Sequence, residues 1–255
     1  MAKFFTYQYS ERRPPKDSGL NTSYWLHHRS LARATDKNPY LLINEWICSN
    51  IGWYLRLPIP PFALMRKGGS ARFFASLDYG KPESQPEDMD PASLAREMAY
   101  EATGVVVFDA LIANPDRHEQ NIQVDNAQKP TRIEVFDHDT ALLGHNKNHG
   151  VYRLRNIGDR LGYSKGLQDY DNFHHVAKSL TTAEHFWPWC SRVSAIPHSF
   201  ITSICDEATS FGALKEEATM AAEFLRYRSQ DIWKIIGKNK RFFKSIKDWG
   251  LFPNE

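Results

Sequence analysis

The sequence predicts an α+β fold with a small mixed lobe, a linker and a larger, mainly helical lobe. Three observations lead to this prediction. Short apolar runs bounded by turn residues, together with one clear helix, make up the first part of the chain, whereas helical spacing dominates the later part. Between them, prolines alternate with acidic residues, a composition typical of a linker. We therefore predict an N-terminal lobe at 1–80, a linker at 81–91 and a C-terminal lobe at 92–255.

In the N-terminal lobe, the pattern predicts one helix with short strands before and after it. Residues 3–9 alternate weakly and fit a strand, followed by a loop at 11–23 that contains paired prolines. A helix is predicted from Asn38-Pro39, where the proline suits a first turn, to the stretch 52–57, before three further prolines. Two antiparallel strands are predicted next, at residues 62–65 and 72–77.

In the C-terminal lobe, helical segments flank one hairpin. Residues 92–113 are predicted as a helix, and two apolar runs at 122–124 and 133–136 enclose Lys129-Pro130, so they are predicted as a β-hairpin. Thr181 and Glu184 have the spacing of a capping box, which predicts a helix there. The predicted later helices lie at 181–189, 197–211 and 214–236.

The composition is that of an ordinary globular protein. Hydrophobic residues make up 42% and charged residues 24% of the 255 residues, enough for a buried core. The formal net charge of +2 is too close to neutral to indicate nucleic-acid binding, and no apolar run approaches the roughly 20 residues that span a bilayer. Three widely spaced cysteines fit a reduced chain, and the N-terminus lacks the apolar segment of a signal peptide. We expect a cytoplasmic protein that contacts neither membrane nor nucleic acid directly.

The most informative segment is residues 114–121, which read Asn-Pro-Asp-Arg-His-Glu-Gln-Asn. Asp116 and Asn121 lie five residues apart, after a predicted helix and directly before a predicted strand. Kinase catalytic loops use this spacing: the Asp accepts the proton of the attacking hydroxyl, and the Asn binds magnesium. Asp137 follows the next predicted strand, and a carboxylate at that position can face the loop across the hairpin, where it would bridge the metal to nucleotide phosphates. The pattern predicts a phosphoryl-transfer centre.

A purely structural interpretation of these residues stays open. In it, Asp116 caps a backbone amide in a polar turn, and Arg117 pairs with a nearby acid. The joint pattern of helix, Asp-Arg-His-x-x-Asn loop and hairpin ending in Asp favours the catalytic interpretation. We predict that His118 orients the loop through hydrogen bonds, and that Asp139 is either a second metal ligand or a cap for the next turn. The predicted catalytic residues are Asp116, Arg117 and His118, and the predicted metal ligands are Asn121, Asp137 and Asp139.

Segments 108–118 and 136–144 resemble the small HipA-like kinases. These proteins are distantly similar to phosphatidylinositol 3- and 4-kinases and to HipA toxin kinases, which carry similar Asp-Arg-His-x-x-Asn loops. A second match is the stretch Leu42-Ile43-Asn44-Glu45-Trp46, followed by the proline-rich residues 57–61. In the family, this is the N-lobe helix with its ion-pairing Glu. The resemblance covers about residues 40–240.

The resemblance implies a bilobal protein-kinase-like fold with an abbreviated N-lobe and a mainly helical C-lobe. It also implies ATP and Mg²⁺ as cofactors, a protein Ser or Thr hydroxyl as acceptor, and a helix-turn-helix antitoxin as a candidate partner, as in toxin–antitoxin systems. Glu45 would pair with the cation that binds ATP. Lys3 is the upstream lysine in a strand-like stretch and Lys16 is an alternative, whereas Glu45 itself is alternatively a solvated helix acid.

The strand at residues 72–77 precedes the predicted linker, where a kinase joins its lobes and holds adenine through backbone hydrogen bonds. We therefore predict cofactor contacts at Phe74, Ser76 and Leu77, with a plain core strand as the alternative.

Two functions other than a protein kinase stay open as well. Because few residues precede Glu45, the chain is alternatively a pseudokinase-like module that binds nucleotide or a protein without turnover. The likeness to phosphatidylinositol kinases leaves a lipid or small-molecule kinase as the second alternative.

Overall fold

A computed structural model of the chain describes most of its residues. The described residues are 8–9, 26–27, 30–35, 37–67, 71–77, 87–114, 116–161, 174–250 and 252. Lys3, Lys16 and the predicted loop at 11–23 lie outside them, so the candidate lysine partners of Glu45 remain predictions.

The described residues contain both helices and short strands. The α-helices are α1 (Leu41–Tyr54), α2 (Pro91–Glu97), α3 (Ala99–Ile112), α4 (Gly150–Ile157), α5 (His175–Ser179), α6 (Phe186–Ser194), α7 (His198–Glu207) and α8 (Lys215–Lys238). The strands are β1 (Gln8–Tyr9), β2 (Leu26–His27), β3 (Ser30–Ala34), β4 (Phe62–Lys67), β5 (Ala71–Leu77), β6 (Glu87–Asp88), β7 (Ile122–Val124) and β8 (Ile133–Val135). None of these helices is long and apolar enough to cross a membrane.

The strands form three small antiparallel sheets. β1 pairs with β2, a second sheet has the order β3-β5-β4, and a third has the order β6-β7-β8. In the second sheet β5 is central, so that Ser76 lies opposite both Leu31 and Phe62. The predicted pairing of two strands around residues 62–77 is confirmed, and so is the β7–β8 hairpin.

Helix α1 packs against both the β3-β5-β4 sheet and the main helical core. Near its start, Leu41 and Leu42 contact Phe74 of β5. Further along, Ile47 and Ile51 are fully buried in the core that also contains α3 and α8. Burying each of these isoleucines stabilises the fold by about 1.5–3 kcal/mol. α1 therefore joins the sheet to the helical region, and its polar residues lie at that junction.

The predicted linker and the helix after it need correction. Residues 87–88 form β6, and the Asp90 carboxylate accepts a hydrogen bond from Ser93 N at 3.0 Å, which caps α2. Only residues 81–86 of the predicted linker are left, and they lie outside the described part of the chain. The predicted helix at 92–113 is in fact α2 and α3, which are interrupted at Met98.

The capping box forms at a different helix from the predicted one. α6 begins at Phe186, five residues after Thr181, so Thr181 does not cap it. A capping interaction is instead found at α8, where the Glu217 carboxylate accepts from Leu214 N at 2.8 Å. The prediction at Thr181 was wrong because the Thr-x-x-Glu spacing also occurs in turns, where local hydrogen bonds satisfy the same groups.

Candidate active site

The loop after α3 holds Asp116 and Asn121 in a defined geometry. α3 ends because Ala113 adopts a left-handed backbone conformation, with φ at 50°. Asn114 then shapes the turn, since its Oδ1 accepts from Asp116 N at 3.1 Å. Across the loop, Asn121 Nδ2 donates to Asp116 O at 2.7 Å. This bond uses the amide nitrogen of Asn121 and leaves its oxygen as the group available to a metal ion.

Asp116 lies at the surface, where an acceptor can reach it. Its side chain is 55% exposed, and His118 Nε2 lies 3.8 Å from Asp116 Oδ1. Gln120 N donates to His118 Nδ1 at 3.2 Å, so the neutral imidazole carries its proton on Nε2, the atom that faces Asp116. The structure therefore places His118 where the prediction expected it, as a residue that orients the loop beside Asp116.

Arg117, in contrast, is fully buried and cannot contact a substrate. Its Nε and Nη2 donate to the two oxygens of Asp109 at 2.8 and 3.0 Å. Its Nη1 donates to the carbonyl oxygens of Asn121 and Phe136 at 2.9 and 2.6 Å. The prediction that Arg117 is catalytic is therefore corrected: Arg117 positions other residues. It pairs with an acid, as the purely structural interpretation expected, and its hydrogen bonds connect the backbone at Asn121 with the backbone at Phe136.

Arg33 on β3 connects the predicted ion-pairing glutamate with a predicted metal ligand. Its Nη1 donates to Glu45 Oε1 at 3.1 Å, and it also forms a short ion pair with Asp137 Oδ1. Burial alone would lower the pKa of Arg33, but the carboxylates of Glu45 and Asp137 raise it, so the guanidinium stays charged. Glu45 is only 2% exposed, which contradicts the alternative that it is a solvated helix acid.

Arg33 occupies the place for which the sequence predicted a lysine. A signal was present, because Ser30-Leu31-Ala32-Arg33-Ala34 is an uninterrupted short run before α1 that lacks proline and glycine. A buried Glu needs a cation or hydrogen-bond donors, and an arginine serves as well as a lysine for charge.

Helix α1 also holds the loop that carries Asp137. Asn44 Nδ2 donates to the carbonyls of Asp139 and Gly144 at 2.6 and 2.9 Å. The neighbouring Glu45 accepts from His138 N at 3.1 Å. Asp137 itself has a left-handed backbone, with φ at 64°, a conformation that Asp tolerates better than most residues. Two adjacent polar residues of α1 thus position the predicted metal-binding loop.

Asp139 lies in an environment of excess negative charge. Burial and the carboxylates of Asp137 and Glu45 raise the pKa of Asp139 to about 6, although Arg33 opposes this shift. Such a site favours a divalent cation, because the added positive charge relieves the repulsion among the carboxylates. Asp139 remains a predicted metal ligand, whereas its carbonyl oxygen accepts the amide of Asn38 at 2.8 Å.

The Asp139→Asn variant is expected to be more stable than the wild type above about pH 6 when EDTA is present. A carboxyl whose pKa is higher in the folded than in the unfolded protein disfavours folding as the pH rises through the interval between the two values, here 3.8 to about 6. The neutral amide lacks this effect, so the difference in Tm should vanish below pH 3.8. Thermal unfolding followed by circular dichroism measures the difference in Tm between the two proteins at each pH. Equal Tm values over the whole pH range would contradict the conclusion that the charged form of Asp139 is unfavourable.

The structure places Phe74 and Ser76 in the central strand of a sheet, which disfavours the predicted adenine contacts there. β5 has a strand on each side, so its backbone donors and acceptors are used within the sheet. Phe74 is buried and stacks on Phe62 with ring centroids 5.3 Å apart, as expected for a core strand. Leu77 N donates to Pro61 O at 2.8 Å, so its amide is not available to adenine either. The sheet therefore favours the alternative of a plain core strand for this segment.

The structure resembles a solved kinase. It matches the crystal structure of the Helicobacter pylori proinflammatory kinase CtkA with a TM-score of 0.52 and 16% sequence identity, over 85% of this chain and 91% of that chain. The match shows that the chain has a kinase-like fold. No protein-family model and no curated protein sequence matches the chain.

Proposed function

We propose that the chain is a HipA-like kinase that depends on ATP and Mg²⁺ and transfers a phosphoryl group to a Ser or Thr hydroxyl of a protein. The observation that carries this proposal is the ion pairing of Arg33 with both Glu45 and Asp137. Protein kinases require a strand cation, a helix Glu and a metal-binding Asp in place together. Here the three groups come from β3, α1 and the loop after β8, and the kinase-like fold supports the proposal.

The donor set fits magnesium bound with a nucleotide. Mg²⁺ is commonly held by one or two carboxylates together with phosphate oxygens and water. Asp137 and the amide oxygen of Asn121 are such ligands, and Asp139 lies two residues further on. When bound, Mg-ATP would supply the phosphoryl group and neutralise its charge.

The residues of the chain itself have distinct roles in this proposal. Asp116, exposed beside the loop, accepts the proton of the attacking hydroxyl. Arg33 holds phosphate oxygens, for which its guanidinium offers paired donors, while Glu45 keeps Arg33 in place. His118 accepts a hydrogen bond from Gln120 N and so shapes the loop that carries Asp116. Because phosphoryl transfer needs little covalent chemistry from the protein, positioning of these groups accounts for most of the rate.

Mg-ATP is expected to raise the Tm of the wild type, because a ligand that binds only the folded state stabilises it by mass action. At a concentration of 100 Kd the gain is about 2.7 kcal/mol. EDTA should abolish most of the shift, and Asp137→Asn should lose it through the missing metal ligand. Asp206→Asn is the matched control, since Asp206 is an exposed Asp that pairs with Lys215 on another helix. A wild type without any shift at millimolar Mg-ATP would contradict nucleotide binding.

A nucleotide-binding module without turnover is the second candidate function. The observation that favours it is that the cation beside Glu45 is an arginine, whereas active protein kinases use a lysine there. Binding of Mg-ATP without release of ADP, in the presence of protein acceptors, would support this candidate over the kinase. The intact set of Asp116, Asn121 and Asp137 favours the kinase, since binding alone does not require Asp116.

A further inference from the structure

Asp109 and Arg117 form the centre of a buried hydrogen-bond network behind the candidate site. Both side chains are 0% exposed. Both oxygens of Asp109 accept a hydrogen bond from Arg117. In addition, Oδ1 accepts one from Asn114 Nδ2 at 3.0 Å, and Oδ2 accepts one from His174 Nε2 at 3.0 Å. Burial alone would raise the pKa of Asp109, but Arg117 and His174 hold it well below its usual range. The network is therefore a buried ion pair in which each carboxylate oxygen of Asp109 accepts two hydrogen bonds.

Arg117 extends this network to both sides of the predicted metal site. Its Nη1 donates to the carbonyl of Asn121, a predicted ligand, and to that of Phe136, the residue before the ligand Asp137. One guanidinium group thus fixes the separation between the two ligand-bearing backbones. If Arg117 rotates, both carbonyls lose their donor at the same time.

His174 reaches the network from a distant part of the chain. It precedes α5 and is buried, and Ala177 N donates to its Nδ1 at 3.3 Å. The proton therefore resides on Nε2, which donates to Asp109. Burial lowers the pKa of His174, so the ring is neutral near pH 7. His175 N also donates to Arg117 O at 3.3 Å, so this segment contacts Arg117 through its backbone as well.

We propose that His174 is a positioning residue for the metal-binding loops: by donating to Asp109 it keeps Arg117 oriented, and Arg117 holds Asn121 and Phe136. A buried carboxylate that loses a donor must reorganise or take up water, which would rotate the paired guanidinium. The segment that begins at His174 therefore controls how well the metal ligands are arranged. This role rests on the proposed function only where it concerns metal affinity.

Two conservative variants of His174 separate positioning from simple packing. Gln places its amide nitrogen near the position of Nε2 and can still donate to Asp109. Asn can cap α5 as His174 does, but it is too short to reach Asp109. Val176→Ala is the control, because Val176 is fully buried in α5 and its truncation removes packing without removing a hydrogen bond.

Hydrogen exchange followed by mass spectrometry is the first measurement, and it needs no nucleotide. We expect at least about tenfold faster exchange in His174→Asn than in Val176→Ala for peptides that cover residues 116–121 and 136–138, with His174→Gln close to the wild type. The relevant amides include Asn121 N, which donates to His118 O at 3.1 Å, and His138 N, which donates to Glu45. Equal exchange in these peptides for His174→Asn and Val176→Ala would overturn the positioning role.

The second measurement is the Mg²⁺ concentration that gives half of the maximal stabilisation by ATP. We expect it to rise about tenfold in His174→Asn and to stay near the wild-type value in His174→Gln and Val176→Ala, because partners behind metal ligands typically affect affinity by about 10- to 100-fold. An unchanged value in His174→Asn would overturn the link to the metal. If the wild type shows no stabilisation by Mg-ATP, the proposed function fails, and hydrogen exchange alone decides the positioning role.

Discussion

Asp116→Asn is expected to lower phosphoryl transfer by about 10²- to 10⁴-fold while the stabilisation by Mg-ATP stays close to that of the wild type. The amide cannot accept the proton of the attacking hydroxyl. It does preserve the loop, because it is the backbone oxygen of Asp116, not its side chain, that binds Asn121 Nδ2. Release of ADP in the presence of a protein acceptor measures transfer, and the Tm with and without Mg-ATP measures binding.

Asp137→Asn provides the contrast to this variant. Asp137 is a predicted metal ligand, so its loss should weaken the binding of Mg-ATP itself and not only the transfer. Asp206→Asn should behave as the wild type in both measurements, since Asp206 pairs only with Lys215 among the described residues. Full activity of both Asp116→Asn and Asp137→Asn would contradict the assignment of the site.

Arg33→Met and Glu45→Gln are expected to lower the affinity for Mg-ATP by similar amounts, about 10- to 100-fold each. Both variants remove the charged hydrogen bond between Arg33 and Glu45, and such bonds contribute about 1.5–3 kcal/mol; Arg33→Met also removes the ion pair with Asp137. Because both residues act through the same ion pair, the double variant should cost little more than either single variant. The coupling energy of the double-mutant cycle should lie at about 0.5–3 kcal/mol.

Two lysine variants make this cycle specific. Arg33→Lys keeps the positive charge but loses the paired donors of the guanidinium. If the charge of Arg33 dominates its contribution, this variant should retain most of the affinity for Mg-ATP. Lys3→Met tests the original expectation that Lys3 is the partner of Glu45. With Arg33 in contact with Glu45, we expect Lys3→Met to behave as the wild type. A silent Arg33→Met together with a damaging Lys3→Met would show that the lysine binds the phosphates.

The parts of the site that lie close together in sequence could be predicted from it. Asp116, Asn121 and Asp137 belong to one loop and the hairpin that follows, so spacing and turn residues were sufficient to predict them as site residues. The β7–β8 hairpin was predicted for the same reason, because its two apolar runs lie close together in sequence with Lys129-Pro130 between them. Glu45 was found through a local motif on a strongly helical segment.

The parts that depend on long-range contacts could not be predicted in this way. Arg33 meets Asp137 across 104 positions in sequence, and His174 meets Asp109 across 65. Adenine contacts were predicted on β5 from its place before the linker, and the pairing with β3 that makes β5 a central strand depends on long-range contacts. One signal was overlooked: residues 102–112 of α3 are all buried, and an Asp in so apolar a helix requires a cation nearby.

The most direct test of the central claim is mass spectrometry of a protein acceptor, and of the chain itself, after incubation with Mg-ATP. The account predicts a phosphoryl group on Ser or Thr that forms with the wild type and with Asp206→Asn, but not with Asp116→Asn or in EDTA. A wild type that binds Mg-ATP yet forms no more phosphoester than Asp116→Asn, on protein or on lipid vesicles, would contradict the assignment of residues 116–137 as a phosphoryl-transfer centre.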